Sequence, residues 1–542
     1  MGWLSSRYYF FYAVLFLCLL GTFLYSVVDS RWGWMALAAG MLSIIGCWDV
    51  LQQKRTISRL YPVIAHFRYI FESIGPEIRQ YFIQNDTEPV PFSRQQRSLV
   101  YQRAKNTLDK RPFGTLLDLY AEGYEWINHS IMPHKLDDHD FRITIGQGEK
   151  KYSASVFNIS AMSFGALSPA AIRALNLGAK LGNFYHDTGE GSISKYHREH
   201  GGDLVWEIGS GYFGCRDERG LFNPERFIQN AQSDQVKMIE LKLSQGAKPG
   251  QGGILPGSKV TPEIAETRGV PAWQDCVSPA RHSAFDTPIG LLKFIAQLRG
   301  LSGGKPTGFK LAIGHPWEWF SIAKAIIETE IYPDYIVVDG GEGGTGAAPV
   351  EFTDHVGMPR REALLLVHNT LVGLGIRDHI KLGVAGKLVS GFDVARSMAL
   401  GADWCNSARG FMFALGCIQS QSCHTGKCPS GVATQDPSRW IHLHTPDKAQ
   451  RVLYFQQNTL KALKELISAA GLAHPIELGP EHILRRISRT ETRPLSTIYR
   501  FLEPGELVNS VPDHGPYAQF WRTSRSDNFA PPESIRVLRD RK

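Results

Sequence analysis

At 542 residues the chain is too long for one ordinary domain and long enough to bury a large core. Its 43% hydrophobic and 20% charged residues are those of a globular protein, and its net charge of +7 is scattered without a basic run, which argues against nucleic-acid binding. Eight cysteines without a regular framework argue against a secreted disulfide scaffold.

The first elements are apolar. Tyr8 to Val28 and Trp32 to Trp48 carry no charge, and each is near the length of a membrane-crossing helix. Asp29, Ser30 and Arg31 separate them. The pattern predicts a transmembrane helical hairpin over residues 1–55, with Trp32 and Trp34 at an interface. The alternative is a signal peptide cut near the small residues at 36–38. Against it, the apolar run is too long and only Arg7 precedes it. Lys54, Arg55 and Arg59 follow the second span, against Arg31 between the spans. Positive-inside bias then places the rest of the chain in the cytoplasm. That compartment is reducing, so clustered cysteines there read as metal ligands or redox groups.

Residues 56–150 read as a mixed, mostly helical region that holds the catalytic domain near the bilayer. "YPVIAHFRYIFESIGPEIRQYF" and "GTLLDLYAEGYEWINHSI" both place apolar residues at helical spacing. Over 151–475 short apolar runs alternate with capped helical patterns. The candidate strands are Val156–Ser160, Phe184–Asp187, Leu204–Ile208, Met238–Leu243, Phe309–Ile313, Ile336–Asp339, Lys381–Ala385 and Asp403–Asn406. Ser168-Pro169 and Thr287-Pro288 are N-cap and first-turn pairs. Eight strands alternating with helices predict an α/β fold, a (β/α)8 TIM barrel. A doubly wound sheet is the alternative, but it wants a GxGxxG turn after its first strand, and "SAMSFGALS" is not one. Residues 476–542 read as a polar C-terminal tail on the barrel surface.

A barrel builds its active site from the loops at the C-terminal ends of its strands. The unusual residues of this chain fall there, in "SAMSFGALS", "DTGEGSIS", "LSQGAKPGQGGILPG", "DGGEGGTGA", "AGKLVSG" and "NSARG". Gly-rich strand–helix loops present backbone N–H groups to an anion. Gly386, Lys387, Ala408 and Arg409, after strands seven and eight, are the phosphate candidates; the alternative is that their glycines only make tight turns. Lys310 lies inside an apolar strand. Pointing inward, it needs an anionic partner, which a reduced flavin ring would supply. Cys417, Cys423 and Cys428 are spaced C-x5-C-x4-C in "GCIQSQSCHTGKCPSGVATQ". Three thiolates without paired C-x2-C knuckles suit an iron–sulfur cluster with a missing corner. Zinc completed by His424, and plain buried cysteines, remain alternatives.

Residues 155 to 440 resemble the FMN-binding synthase domain of glutamate synthases, the ferredoxin-dependent and archaeal-type forms included. "MSFGALS", "TGEG", "QGAKPGQGG", "LPG", "GGTGA" and the cysteine segment stand in the family's order. The resemblance implies FMN, contacted by Met162, Ser163, Thr188, Glu190 and Lys310, and a [3Fe-4S] cluster on Cys417, Cys423 and Cys428. It implies that Gln245 and Lys248 receive 2-oxoglutarate or its imine. Departures stand beside it. Tyr212 replaces the arginine of the family's "GRFG", a loss of a charge-assisted bond to a carboxylate. Gln251 and Ile254 replace polar partners, and "AGK" at 385–387 replaces the "DGG" turn. No segment resembles a glutaminase or a pyridine-nucleotide domain.

The expectation is therefore a membrane-anchored FMN and iron–sulfur oxidoreductase of glutamate synthase type. It takes electrons from a ferredoxin-like or membrane donor and reduces an imine made from a 2-oxo acid and ammonia or an amine. Lys310, Lys248, Gln245 and Glu190 are its catalytic candidates. Two other classes compete. One is an electron-relay or regulatory module without glutamate chemistry. The other is a hydroxyacid oxidase with His282 or His315 as base, which lacks the matching arginine pair.

Overall fold

The computed structural model describes residues 6–52, 55–88, 91–513, 515–532 and 535. They form two compact units, 1–85 and 86–542. The division leaves residues 56–85 with the hairpin and joins 86–150 to the barrel.

In the first unit α1 (Tyr9–Val27) and α2 (Gly33–Leu51) are joined by a short turn in which the Asp29 carboxylate accepts from the Arg31 N–H at 2.7 Å. Together with single 3-10 turns they make two apolar helices of 22 residues each, Ser6–Val27 and Ser30–Leu51, long and apolar enough to cross a membrane. The helices touch at small residues. A Cβ on Gly21 would stand 2.8 Å from the Ala36 nitrogen. After α2 a short helical turn, Thr56–Leu60, leads to α3 (Ala65–Ile78). Lys54, one of the cations used to orient the spans, lies outside the described residues.

The second unit is built on a closed eight-stranded barrel. Its strands are β1 (Phe157–Ile159), β2 (His186–Asp187), β3 (Leu204–Ile208), β4 (Val236–Lys242), β5 (Thr307–Leu311), β6 (Tyr335–Asp339), β7 (Lys381–Ala385) and β8 (Trp404–Ser407). All neighbours pair in parallel, and β8 closes on β1 through Cys405 opposite Phe157. Each expected strand is present, displaced by at most two residues at an end. The predicted caps are formed: the Ser168 hydroxyl accepts from the Ala171 N–H, and that of Thr287 from the Gly290 N–H.

The segment 114–131 departs from its helical spacing. It is turns followed by an extended stretch, Glu125–Ile127, paired antiparallel with Ile483–Arg486. Gly114 and Gly123 sit at positive φ, which interrupts a helix, and the pairing supplies the backbone partners. The C-terminal residues are correspondingly more ordered than a tail. Ile483–Arg486 also pairs with Thr492–Pro494, and Tyr517 stacks on Phe320 of a barrel helix at 5.1 Å.

Candidate active site and cysteine loop

The barrel interior is charged where branched apolar side chains usually stand. Register places Glu207 beside Glu240 and Lys242 beside Lys310. Lys310 is buried and forms ion pairs with Glu207 and, at 3.6 Å, with Glu240. Its anionic partners in the protein are thus carboxylates. Burial disfavours the ammonium, but Glu207, Glu240, Asp187 and Asp339 outweigh it and hold Lys310 well above the usual lysine range. Burial and then Glu207 push Asp187 up to about 7, against the pull of Lys310. Glu240 and Asp339 are raised too, first by burial. Asp187, Glu207 and Glu240 bring oxygens within 4.8 Å of one another.

Above this layer a small, partly open cavity lies among the strand ends. Glu190, Lys242, Gln245, Gln251 and Ser210 line it. Glu190 pairs with Lys242 at 3.2 Å. Burial works against its charge, but Lys242, Arg268 and Lys248 prevail and hold its carboxyl below the usual range. Lys248 is buried, and burial lowers it while Glu190 offsets part of the shift. The loop carrying Gln245 and Lys248 is pinned by the Gly246 N–H, which donates to Asp339 at 3.0 Å. A Cβ on Gly246 would come within 1.8 Å of the Gly340 carbonyl oxygen, so this crossing of two loops requires glycine.

Met162 and Ser163 stand on the loop after β1. A Cβ on Gly189, at φ 64°, would lie 2.7 Å from the Ser163 nitrogen, so this loop lies directly on the one carrying Thr188 and Glu190. Thr188 is spent inside the protein: its hydroxyl donates to the Gly189 carbonyl at 3.0 Å and accepts from the Glu207 N–H at 3.1 Å. It therefore shapes the loop and presents backbone. Met162, Ser163, Thr188, Glu190 and Lys310 thus gather in neighbouring loops and strands of one barrel end.

The phosphate candidates are adjacent as expected, with added partners. Arg360 donates to the Gly386 carbonyl at 2.8 Å, and Glu342 accepts from the Arg360 N–H at 2.9 Å. Burial lowers Lys387, with Glu342 opposing and Arg409 adding. Ala408 precedes the short helix Arg409–Leu415 and offers no side-chain cap. The Arg409 guanidinium reaches the other way, toward the loop of Gly344, whose Cβ would stand 2.6 Å from it. It lies close enough to Cys423 and Cys417 to counter part of the lowering that burial imposes.

The three cysteines sit on one loop against this wall. Lys259 donates to the Cys423 carbonyl at 2.9 Å, and Tyr101 to the Cys417 carbonyl at 2.6 Å. Burial pushes the Cys417 thiol up to about 11 and raises Cys423 as well. Cys428 is held below the usual thiol range: burial is overcome by the Ser430 hydroxyl and the N–H groups of Ala433, Ser430 and Val432. Among the described residues the three sulfurs are not a set within 4.8 Å of one another, as ligands of a single ion must be.

Tyr212 does not face the cavity. It is buried at φ 48°, its ring against Phe222, His282 and Phe294. Its hydroxyl accepts from the Ala284 N–H at 3.2 Å. His282 Nε2 lies 2.8 Å from the Lys242 carbonyl and so donates there, leaving Nδ1 to accept from the Tyr212 hydroxyl at 3.1 Å. Burial lowers His282 to about 4, and the ring is a neutral structural link. Sequence reasoning passed over Arg268, Lys259, Lys242, Glu207 and Glu240. The last three carry the same signal that exposed Lys310, a charge inside an apolar strand. Arg268 ends the short helix Pro262–Arg268 and Lys259 ends the 3-10 turn Gly257–Lys259, outside the barrel strands, where a charge gives no such signal.

A closed parallel barrel with a charged interior and a polar cavity at its C-terminal strand ends defines a barrel enzyme. The family model for the conserved region in glutamate synthase matches residues 127–473. The glutamate synthase large subunit-like protein YerD of Bacillus subtilis (strain 168) is 38% identical over 481 residues, 81% of this chain and 91% of that protein. An archaeal-type glutamate synthase (NADPH) of Thermotoga neapolitana is 36% identical over 314 residues, 58% of this chain and 59% of that one. Among solved structures, a flavocytochrome b2 variant with pyruvate bound is matched over 82% of this chain and 91% of its own, at 13% identity and a TM-score of 0.42. The chain belongs to the glutamate synthase family and is an oxidoreductase of that type.

Proposed function

We propose that the chain is a membrane-anchored FMN and iron–sulfur oxidoreductase that reduces the imine of a 2-oxo acid, 2-oxoglutarate first, with ammonia or an amine. One observation carries this reading. The cavity at the strand ends is lined by Lys242, Glu190 and Gln245, Lys242 stands opposite Lys310 in the barrel register, and the buried Lys248, on the loop of Gln245, acts on Glu190. A doubly anionic oxo acid needs such cations in a site that excludes water.

The donor set fits both cofactors. FMN supplies hydride chemistry when bound. Met162, Ser163, Thr188 and Glu190 would hold it through their loops, Lys310 would face its anionic edge, and Gly386, Lys387 and Ala408 would receive its phosphate. Arg409 would sit between phosphate and cysteines. For the cluster, three thiols on one loop near enough to act on one another, N–H groups aimed at Cys428 and two cations, Lys259 and Arg409, form the setting that iron–sulfur ligands need. Lys248 holds the substrate carboxylate or polarises its carbonyl, Gln245 orients it, and Glu190 fixes Lys242 and orders the flavin loop. The electron donor is ferredoxin-like or membrane-bound. The two apolar helices anchor the chain, with Arg55 and Arg59 placing the catalytic unit in the cytoplasm.

Assay of FMN, iron and acid-labile sulfide in the purified chain tests the cofactors. Stoichiometric FMN with three irons is expected; a chain without flavin overturns the reading. A relay or regulatory module is the second reading, favoured by Tyr212, which is buried in an aromatic cluster and brings no cation to the cavity. It predicts reduced flavin that no 2-oxo acid reoxidises.

A further inference from the structure

The helix α3 leaves a continuous apolar face uncovered. Phe67, Ile70, Phe71, Ile74 and Ile78 follow the spacing of one helical stripe, and all are exposed, Phe71 to 62%. The helix runs on as a π-helical turn, Arg79–Ile83, whose Tyr81, Phe82 and Ile83 are exposed too, Phe82 to 84%. Arg68 and Glu72 pair at 2.7 Å on another side of the helix. A water-facing helix has no use for five large apolar residues in a stripe, so something covers them.

The same compact unit shows where this helix sits along the hairpin. Asp49, near the end of α2, is buried. Its carboxylate takes the Val63 N–H at 2.9 Å and the His66 ring at 2.9 Å, so it grips both sides of the start of α3. Tyr8, at the start of the first span, donates to the Arg59 carbonyl at 3.1 Å. A Cβ on Gly46 would strike Phe11 of α1 and come within 3.0 Å of Val63. The beginning of one span, the end of the other and the root of α3 are therefore one packed knot. Whatever boundary the two spans reach at that end, α3 starts there. Arg55 lies over the Tyr69 ring at 5.0 Å, adding a cation at the same level.

We propose that α3 and the residues to Ile83 lie in the headgroup–acyl boundary of the bilayer, with Phe67, Phe71, Ile74 and Ile78 toward the acyl chains. The occupant is lipid because the face continues from a knot made by two membrane-length helices, and because aromatic rings rim it. The inference rests on the anchoring stated under Proposed function. It adds a third membrane contact, which fixes the direction in which the chain leaves the bilayer.

The test uses the full chain in phosphatidylcholine–phosphatidylglycerol vesicles. A benzophenone amino acid replaces Phe71 or Ile74 on the face, Glu72 or Ser73 off it, and Leu19 or Ile44 within the spans. After irradiation, mass spectrometry finds phospholipid adducts. Adducts at 71, 74 and the span positions, with none at 72 and 73, support the proposal. Adducts at 19 and 44 but none at 71 and 74 overturn it and leave the anchor standing. Protein–protein adducts at 71 overturn it in favour of a second copy as the cover. No lipid adduct at any position, with chain released by carbonate washing, overturns the anchor and the proposal together.

Discussion

Replacing Lys310 by Met tests the charged layer most sharply. The ammonium is almost fully buried, as are Glu207 and Glu240, the two carboxylates paired with it. Removing one partner of a buried ion pair costs about 3–5 kcal/mol, because a charge is left without compensation. The barrel unit runs from 86 to 542. At about 2 cal/mol/K per residue its unfolding entropy is roughly 1 kcal/mol/K, so that cost lowers Tm by about 3–5 °C. The loss depends on pH, and its sign follows from the carboxyls. Asp187 is raised from 3.8 to about 7, so the folded state holds a proton that the unfolded chain releases. Wild-type stability therefore declines as pH rises from about 4 toward 7. Without the ammonium, Asp187 and Glu240 keep their protons to higher pH. Each pH unit over which the variant holds one more proton than wild type returns about 1.4 kcal/mol on acidification. Thermal unfolding followed by near-UV circular dichroism is the assay. The variant falls about 3–5 °C below wild type at pH 8, and the deficit shrinks by roughly 1–1.5 °C at pH 6. Adding Glu207→Gln to Lys310→Met recovers part of the loss at pH 8. An equal drop at both pH values, or no drop, refutes the reasoning.

Glu125 is buried among Arg361, Arg396 and Arg485, at 2.8, 2.8 and 2.6 Å. Glu125→Ala leaves three guanidiniums facing one another, costs about 3–5 kcal/mol, and makes the strand Ile483–Arg486 open to limited proteolysis while the barrel core resists. Tyr212→Phe removes the acceptor of the Ala284 N–H and the donor to His282, and lowers stability by about 1–3 kcal/mol in thermal unfolding. Cys423→Ser abolishes the iron content and its electron paramagnetic resonance signal while FMN is retained; iron at wild-type level contradicts the ligand set. Lys248→Ala raises KM for the 2-oxo acid roughly 10- to 150-fold, the loss of one charge-assisted contact, and an unchanged KM removes Lys248 from the substrate site.

The eight barrel strands were legible because each is a short apolar run closed by glycine or a polar residue, and the caps at Ser168 and Thr287 fixed two helix starts. Lys310 was legible as a charge where a barrel strand should be apolar. Its true surroundings were not, since Glu207 and Glu240 come from strands far along the chain and meet it only through register. The stretch 114–131 has helical spacing, but its fate is set by Ile483–Arg486, hundreds of residues away. Arg409 was legible as a cation beside a glycine loop. Its direction, toward Gly344 and the cysteines, is set by packing between loops. Tyr212 stood out by what it lacks; only packing shows it to be a core residue.

The central claim is that electrons held by this chain reduce an imine at the cavity. One anaerobic stopped-flow experiment tests it. Detergent-purified full-length protein is chemically reduced and mixed with 2-oxoglutarate and ammonia, the flavin band is followed, and glutamate is assayed in the quenched mixture. The account predicts recovery of the flavin band faster than in buffer, with glutamate formed in proportion. A band that stays bleached with 2-oxoglutarate and with other 2-oxo acid and amine pairs contradicts it and leaves the relay reading.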